Sequence, residues 1–296
     1  MLIRASSAKV QRLIPGWLPA RQTVGMVTQA RHSVASNRDN TGITRAVLLS
    51  AGQGKRLLPL TQDRPKCAIE FFGRSVVEWQ IDALFDAGFE EVSVVLGYGA
   101  DGVEAMLAQR YDGSRVRTIY NPFFRLTDNL ATCWVAREVM DDDFLLINGD
   151  TLFEPDVVRA LMAAIDQPIT LTVDHKDAYD GDDMKVVQDE LGQPRRIGKQ
   201  LPLAEVSAES IGMIAFTGSG PALFRQAIER YMRSDNALSL WYLSVVDELA
   251  GSGHVGACSV GDRLWSEMDD HNDLADVQKV IAAIAQYAPT ADGDRA

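Results

Sequence analysis

No run of 18 apolar residues occurs in the 296-residue chain, so no transmembrane helix is expected. Its three cysteines, Cys67, Cys133 and Cys258, are scattered and odd in number, with no Cys-x-x-Cys spacing. That usage suits a reducing compartment, makes a cytoplasmic location the expectation, and argues against a structural zinc. Internal repeats and low-complexity tracts are lacking. Cations are also short, with 29 Lys and Arg against 41 Asp and Glu, a net charge of −12. The deficit is uneven. Residues 1–45 hold seven cations and one acid, a balance of +6 that leaves −18 on the remainder. So acidic a body makes nucleic acid an unfavourable partner.

The basic N-terminal piece, residues 1–43, is rich in Arg, Ser and Ala and has little hydrophobic patterning. Its composition resembles an organellar transit peptide, but it lacks the long apolar stretch of a secretory signal. The plainer reading is a disordered leader, or an upstream start codon with Met26 as the true start. Residues 288–296 are polar and read as a frayed tail. Between them, 44–287 is long enough to bury the core of one large α/β domain.

From residue 44 the pattern alternates strand and helix. Strands are expected near 47–49, 91–97, 116–120, 144–148 and 169–173. Helices are expected near 75–87, 101–111, 130–140 and 155–165. This alternation predicts a mostly parallel sheet wound with helices on both faces. After residue 174 short strands at 185–188, 195–199 and 210–216 predict an antiparallel excursion. Helices at 221–232, 238–250 and 274–287 follow, with strands at 255–259 and 264–267 between them.

What the chain does have is a loop. The apolar strand Val47-Leu48-Leu49 runs into Ser50-Ala51-Gly52-Gln53-Gly54-Lys55-Arg56, then Pro59-Leu60-Thr61 and Pro65-Lys66. Gly52 and Gly54 allow a sharp turn that brings backbone N–H groups against an anion. Arg56 and Lys66 add charge that amides cannot. A dinucleotide-binding turn would need a third glycine at 57, where Leu stands, and a P-loop would need Gly-Lys-Ser/Thr. A tight strand-exit turn with solvated charges is the plain alternative. A carboxylate, Asp150, stands at the end of the apolar strand Phe144–Asn148, where ligands of open α/β sheets bind. Its plain alternative is the N-cap of a helix starting near Phe153.

These segments resemble the nucleotidyltransferase superfamily, whose loop reads Gly-x-Gly-x-Arg followed by Pro-Lys. The match is specific over residues 46–69 and looser to about 280. The resemblance implies a Rossmann-like α/β fold, doubly wound around a mixed, mostly parallel sheet. It implies an enzyme that joins the NMP of an NTP to a small phosphorylated acceptor, releasing pyrophosphate. No hexapeptide β-helix follows, as it does in some sugar nucleotidyltransferases. Residue by residue, nucleotide contacts fall on Leu49, Ala51, Gly52, Gln53, Gly54, Lys55, Arg56, Lys66 and Asn129, with Arg56 and Lys66 catalytic. Mg²⁺ falls on Asp150 and on Asp269, the latter in Glu267-Met268-Asp269, with Glu267 as an acidic neighbour. Asp270 or Asp273 could equally be helix caps, and His271 reads as a surface residue. Acceptor phosphate contacts fall on Lys199 and Lys185, each also readable as an exposed strand lysine.

Asn121 and Asp128-Asn129-Leu130-Ala131-Thr132 look like the Asn…Asn-Asn…Ser segment of the branch using CTP with phosphocholine, aminoethylphosphonate or inositol phosphate. Asp128 and Thr132 depart from it, and an Asp capping a helix at Asn129 explains position 128 as well. Trp241, Tyr242 and Trp265 could face a quaternary ammonium, though core packing explains each. A sugar-1-phosphate nucleotidyltransferase using UTP, dTTP or GTP is the second reading. A catalytically silent nucleotide-binding regulatory subunit is the third, and a homo-oligomer is compatible with all.

Overall fold

The run from Arg45 to Ser50 carries aliphatic side chains at successive positions, so it can be stable only as a strand covered on both faces. In the computed structural model, which describes residues 42–287, it forms β1 (Arg45–Ser50), buried from Ala46 onward. A small hairpin, β2 (Glu70–Phe71) and β3 (Arg74–Ser75), leads into α1 (Val76–Asp86). Ser75 and Glu78 form a reciprocal capping box at that helix start. Then follow β4 (Glu91–Leu96), α2 (Ala100–Arg110), β5 (Val116–Tyr120), α3 (Asn129–Val135), β6 (Phe144–Asn148), β7 (Thr151–Phe153) and α4 (Pro155–Ala163). The second half contains β8 (Ile169–Asp174), β9 (Lys185–Gln188), β10 (Pro194–Gly198), β11 (Ala208–Phe216) and α5 (Gly220–Tyr231). It ends with α6 (Tyr242–Gly251), β12 (Val255–Ser259), β13 (Trp265–Glu267) and α7 (Leu274–Tyr287).

The nine-stranded sheet runs β10-β9-β11-β6-β1-β4-β5, with β8 paired to β11 and β12 paired to β8. Strands β6, β1, β4 and β5 are parallel. The nine-residue β11 is antiparallel to β6, β8 and β9. The fold is therefore the mixed α/β sheet with an antiparallel excursion that the sequence predicts. Period-2 alternation splits β1 between two cores. Ala46 and Leu48 face α1, α2 and α4 through Val77, Ile81, Val103 and Leu161. Val47 and Leu49 face α3, α5 and α6 through Leu130, Phe224 and Val246. A third cluster packs α7 (Val277, Ile281) against Trp79, Leu152, Met268 and Leu57 of the glycine loop.

Two local expectations are corrected, one helix start is as expected, and one strand is added. Thr151–Phe153 is a fully buried strand paired antiparallel with Trp265–Glu267. The residue before a proline disfavours helical dihedrals, and the helix expected from 155 begins at Pro155 with extended Glu154 before it and ends at Ala163. The expected helix at 238–250 begins only at Tyr242, because Leu238 and Leu240 carbonyls accept from the N–H groups of Asp128 and Leu130. Tertiary pairing overrides local propensity there. The helix expected over 130–140 closes at Val135 and tightens into a 3₁₀ turn at Arg137–Val139. The expectations for residues 1–41 and 288–296 lie outside the described residues.

The segment between β5 and α3 makes one wall of the main cleft, and Asn121 staples it. Asn121 is wholly buried; its Nδ2 donates to Thr132 Oγ1 at 3.1 Å, and its Oδ1 accepts from Phe123 N at 2.9 Å. Truncation strands a buried N–H and a buried hydroxyl. Asn121→Ala should therefore lose about 1–3 kcal/mol of stability, read as a lowered thermal unfolding midpoint.

Candidate active site

The glycine loop leaves β1 at its carboxyl end. Gly54 has φ +79°, and a Cβ there would stand 2.7 Å from Lys66 Cβ. A side chain at 54 would thus meet both backbone strain and the lysine. Lys66 is drawn in by its own N–H, which donates to the Gln53 carbonyl at 3.1 Å. Gln53 Nε2 donates to the Thr61 carbonyl, and Thr61 Oγ1 donates to the Gly54 carbonyl at 2.8 Å. Leu57, at the missing third glycine, is fully buried and anchors the loop to α7.

A cleft of about 240 Å³ opens between this loop and the 124–132 wall. Leu49, Ala51, Gly52, Gly54, Lys66, Asn129 and Asp150 all line it, as do Phe124, Asp128 and Trp241. Gln53, Lys55 and Arg56 do not line it; Gln53 ties the loop together, Lys55 is exposed, and Arg56 turns to Asp269 and the neighbouring cavity. A second cavity of about 240 Å³ adjoins it, lined by Arg56, Lys199, Glu267, Asp269, Asn148 and Asp182 among others. Asn129, Asp150 and Trp241 line both.

Lys66 lies at the junction. Its Nζ is 2.7 Å from Asp150 Oδ2 and 3.0 Å from Asp269 Oδ1. Asp269 Oδ2 also accepts from Arg56 Nη2 at 2.9 Å. Burial by itself would lower the Lys66 pKa, but Asp150 and Asp269 outweigh it and raise it above the usual lysine value. Burial pushes Asp269 up, yet Lys66 and Arg56 hold it below the ordinary carboxylate range. For Glu267 burial, then Asp150, Asp269 and Glu209, outweigh the pull of Lys66 and push its carboxyl up to about 8.

The small β7–β13 ribbon makes this meeting possible. It sets Glu267 beside Thr151, and Met268 N–H donates to the Asp150 carbonyl at 3.0 Å. Asp273 then accepts from the N–H groups of Asp269 and Asp270 at 2.6 and 2.8 Å. Asp273 is a local cap, Asp270 accepts from Asn272 N, and exposed His271 meets the Leu58 carbonyl. None of these three touches the carboxylate pair. Asp150 is not a helix cap, since β7 follows it directly.

The donor set suits a hard divalent cation. It consists of carboxylate oxygens, and Asp150 Oδ1 is buried with no hydrogen-bond partner. Among the described residues, no three His, Cys, Asp or Glu side chains are disposed to hold an ion by themselves. Mg²⁺ does not need such a cage, because it keeps waters and takes phosphate oxygens from its substrate.

The acceptor lysines separate. Lys199 lines the second cavity, its Nζ 4.9 Å from the Trp241 ring centroid. Lys185 is 2% exposed and its Nζ donates to the Asp183 and Lys199 carbonyls at 3.3 and 3.0 Å. Lys185, read from the sequence as an acceptor contact, thus lines neither cavity and is turned toward backbone. A buried ammonium must be satisfied, and two carbonyls of the chain do so, steadying the segment that presents Lys199.

The aromatic trio does not form a cage. Tyr242 is in the core, and its hydroxyl donates to Asn148 Oδ1 at 3.0 Å. The Trp265 indole N–H donates to Asp174, and one Trp241 face is occupied by Lys199. Asp128 makes no cap hydrogen bond at the start of α3. Asn129 Oδ1 instead accepts from Tyr242 N at 2.9 Å.

Two supporting residues escape sequence reading. Asn148 lines the second cavity, and a Cβ on Gly212, at φ +71°, would stand 2.3 Å from its Nδ2. Buried Gln80 donates to the Asn148 and Thr151 carbonyls at 2.9 and 2.8 Å, bracketing the Gly149–Asp150 turn. The position of Asn148 at a strand end beside Gly-Asp was a usable signal. Gln80 had none, being one of several polar residues in α1.

Comparison with known proteins agrees with this geometry. The family model described as MobA-like NTP transferase domain matches residues 46–233. CMP-5'-(3-aminopropyl)phosphonate synthase of Streptomyces rubellomurinus is 30% identical over 242 residues, covering 77% of this chain and 37% of that protein. The chain thus spans little more than a third of that relative. CTP:phosphoglutamine cytidylyltransferase of Campylobacter jejuni is 26% identical, covering 77% of this chain and 97% of that one. The inositol-1-phosphate CTP transferase from T. maritima shares the fold with a TM-score of 0.70 at 23% identity, over 84% of this chain and 99% of its own. The glycine loop, the mixed sheet and a family match over more than half the sequence converge: the chain belongs to the MobA-like NTP transferase domain family of nucleotidyltransferases.

Proposed function

We propose that this nucleotidyltransferase moves CMP from CTP to a small acceptor bearing a phosphate or phosphonate, releasing pyrophosphate. The carrying observation is the junction of two cavities at Lys66, Asp150 and Asp269, one edged by the glycine loop and the other by Lys199. Cytidine is supported by the relatives, which include cytidylyltransferases for phosphonate and phosphoglutamine acceptors.

In this reading the glycine-loop amides and Arg56 hold the β- and γ-phosphates of the donor. Lys66 steadies the α-phosphate as charge builds on it. An acceptor phosphate has a second pKa of about 6 and is largely dianionic near neutrality, so no general base is required. Its oxygen, presented by Lys199, forms a bond to the α-phosphorus while the bond to pyrophosphate breaks and pyrophosphate keeps the electron pair. Positioning and charge compensation supply the catalysis. Asp150 and Asp269 would hold Mg²⁺, which supplies charge neutralisation between the reacting phosphates.

Among acceptors, an aminoalkyl phosphonate is favoured by the relative that makes CMP-5'-(3-aminopropyl)phosphonate. Among the described residues the second cavity offers no preformed aromatic cage for a quaternary ammonium, since Trp241 lines it with one face against Lys199.

Lys66→Ala and Asp150→Ala should each slow pyrophosphate release by about 10²-fold or more. Asp150→Asn should do the same with an unchanged circular dichroism spectrum, and chelation of Mg²⁺ should stop the wild type. A folded Asp150→Ala enzyme with near-normal turnover would sink the metal assignment. Pyrophosphate release across CTP, UTP, dTTP and GTP, each with 2-aminoethylphosphonate, phosphocholine, inositol 1-phosphate and glucose 1-phosphate, tests the rest. The expected strongest pair is CTP with the aminophosphonate. Preference for a sugar 1-phosphate with UTP, dTTP or GTP would establish the second reading, and release with no pair would favour a silent nucleotide-binding subunit.

A further inference from the structure

One carboxylate touches the cations assigned to both substrates. Asp182 Oδ2 lies 3.5 Å from Arg56 Nη1, and its Oδ1 lies 3.8 Å from Lys199 Nζ. Asp182 sits on the loop between β8 and β9, where a built turn sets its place. Asp180 Oδ1 accepts from the N–H groups of Asp182 and Asp183 at 2.7 and 3.2 Å, and Asp183 Oδ2 accepts from Asp180 N at 2.7 Å. That turn uses the backbone of Asp182 and leaves its carboxylate to the two cations.

Both cations have a second anchor. Arg56 keeps Asp269 at 2.9 Å, and Lys199 keeps the Trp241 ring at 4.9 Å. Removing Asp182 would therefore leave each cation in position and merely less neutralised. The Asp182 side chain is 76% exposed, so its two contacts are of the weak, solvent-screened kind. A phosphate, with more charge and more acceptor oxygens, displaces such a partner.

We propose that Asp182 is a shared counter-ion that couples the donor and acceptor subsites. When donor phosphates settle on Arg56 they expel the carboxylate, which then also leaves Lys199, and the acceptor anion no longer has to displace it. The same holds in reverse, because coupling between two binding events is reciprocal. The device makes each substrate tighten the other and leaves the cations neutralised in its absence. It rests on the assignment of Lys199 to the acceptor and of Arg56, which follows the glycine loop and lines the second cavity at its edge with the first, to the donor.

Isothermal titration calorimetry on the full chain in Mg²⁺ buffer tests it, with CTP as the donor probe and inorganic phosphate as the acceptor probe. Each is titrated alone and with the other present, into wild type and Asp182→Asn; the variant should melt like wild type. Wild type should bind phosphate more tightly when CTP is present. Asp182→Asn should bind each probe alone about two- to fivefold more tightly, as expected for loss of a weak exposed pair, and the help that CTP gives to phosphate should shrink. Equal affinities and equal coupling in the two proteins would overturn the proposal. So would wild-type phosphate binding that ignores CTP. Failure of wild type to bind CTP at all would instead overturn the nucleotide assignment, and this inference with it.

Discussion

A single ammonium group, that of Lys66, holds together two carboxylates, one from the middle of the chain and one from near its end. Asp150 ends a parallel strand at the sheet centre, and Asp269 comes 203 positions after Lys66 on a two-stranded ribbon. Removing one partner from a part-buried cluster of this kind leaves an uncompensated charge, which typically costs about 3–5 kcal/mol. The cluster is thus a constraint on the fold and the meeting point of its two cavities. Glu267, beside it, feels burial and its acidic neighbours more than it feels Lys66, and its carboxyl is pushed to about 8.

The layers around this point follow from simple periodicities. Alternation along β1 feeds two cores at once, which keeps the carboxyl end of the strand rigid where the loop departs. Leu57 then ties that loop to α7, the last helix, so the first strand's loop and the last helix meet beside the cleft. The antiparallel strand β11 bends at Gly212 to make room for Asn148, and beyond it the β8–β9 loop carries Asp182 toward Arg56 and Lys199. Both cavities draw on both halves of the chain: Trp241 lines the first, and Arg56, Asn129, Asn148 and Asp150 line the second beside Lys199, Glu267 and Asp269.

Much of this was legible from residues alone. The parallel strands and most helices follow from runs and periods. Leu57 excluded a dinucleotide turn, and the loop cations pointed to phosphates. Lys185 was not legible: its identity suggests an anion contact, whereas burial requires it to satisfy two backbone carbonyls. The strand Thr151–Phe153 went unassigned because three residues have no period to count. The late start of α6 was hidden because the Leu238 and Leu240 carbonyls bond to a segment over a hundred positions earlier. Gln80 acts through hydrogen bonds to backbone about seventy positions away, and Asn121 through one to the Thr132 hydroxyl, roles that local pattern does not carry.

The amino-acid sequence by itself determined the fold class, the phosphate-binding loop and the identity of the charged residues, because these depend on neighbours in the chain. Strand burial, turn chemistry and helix caps are local properties. Only the tertiary structure decided which charges meet. It joined Lys66 to Asp150 and Asp269, withdrew Lys185 from the cavity, kept Tyr242 in the core and set Asp182 between two cations. Electrostatic energy falls with distance and rises with burial, and both are fixed only when the chain is folded.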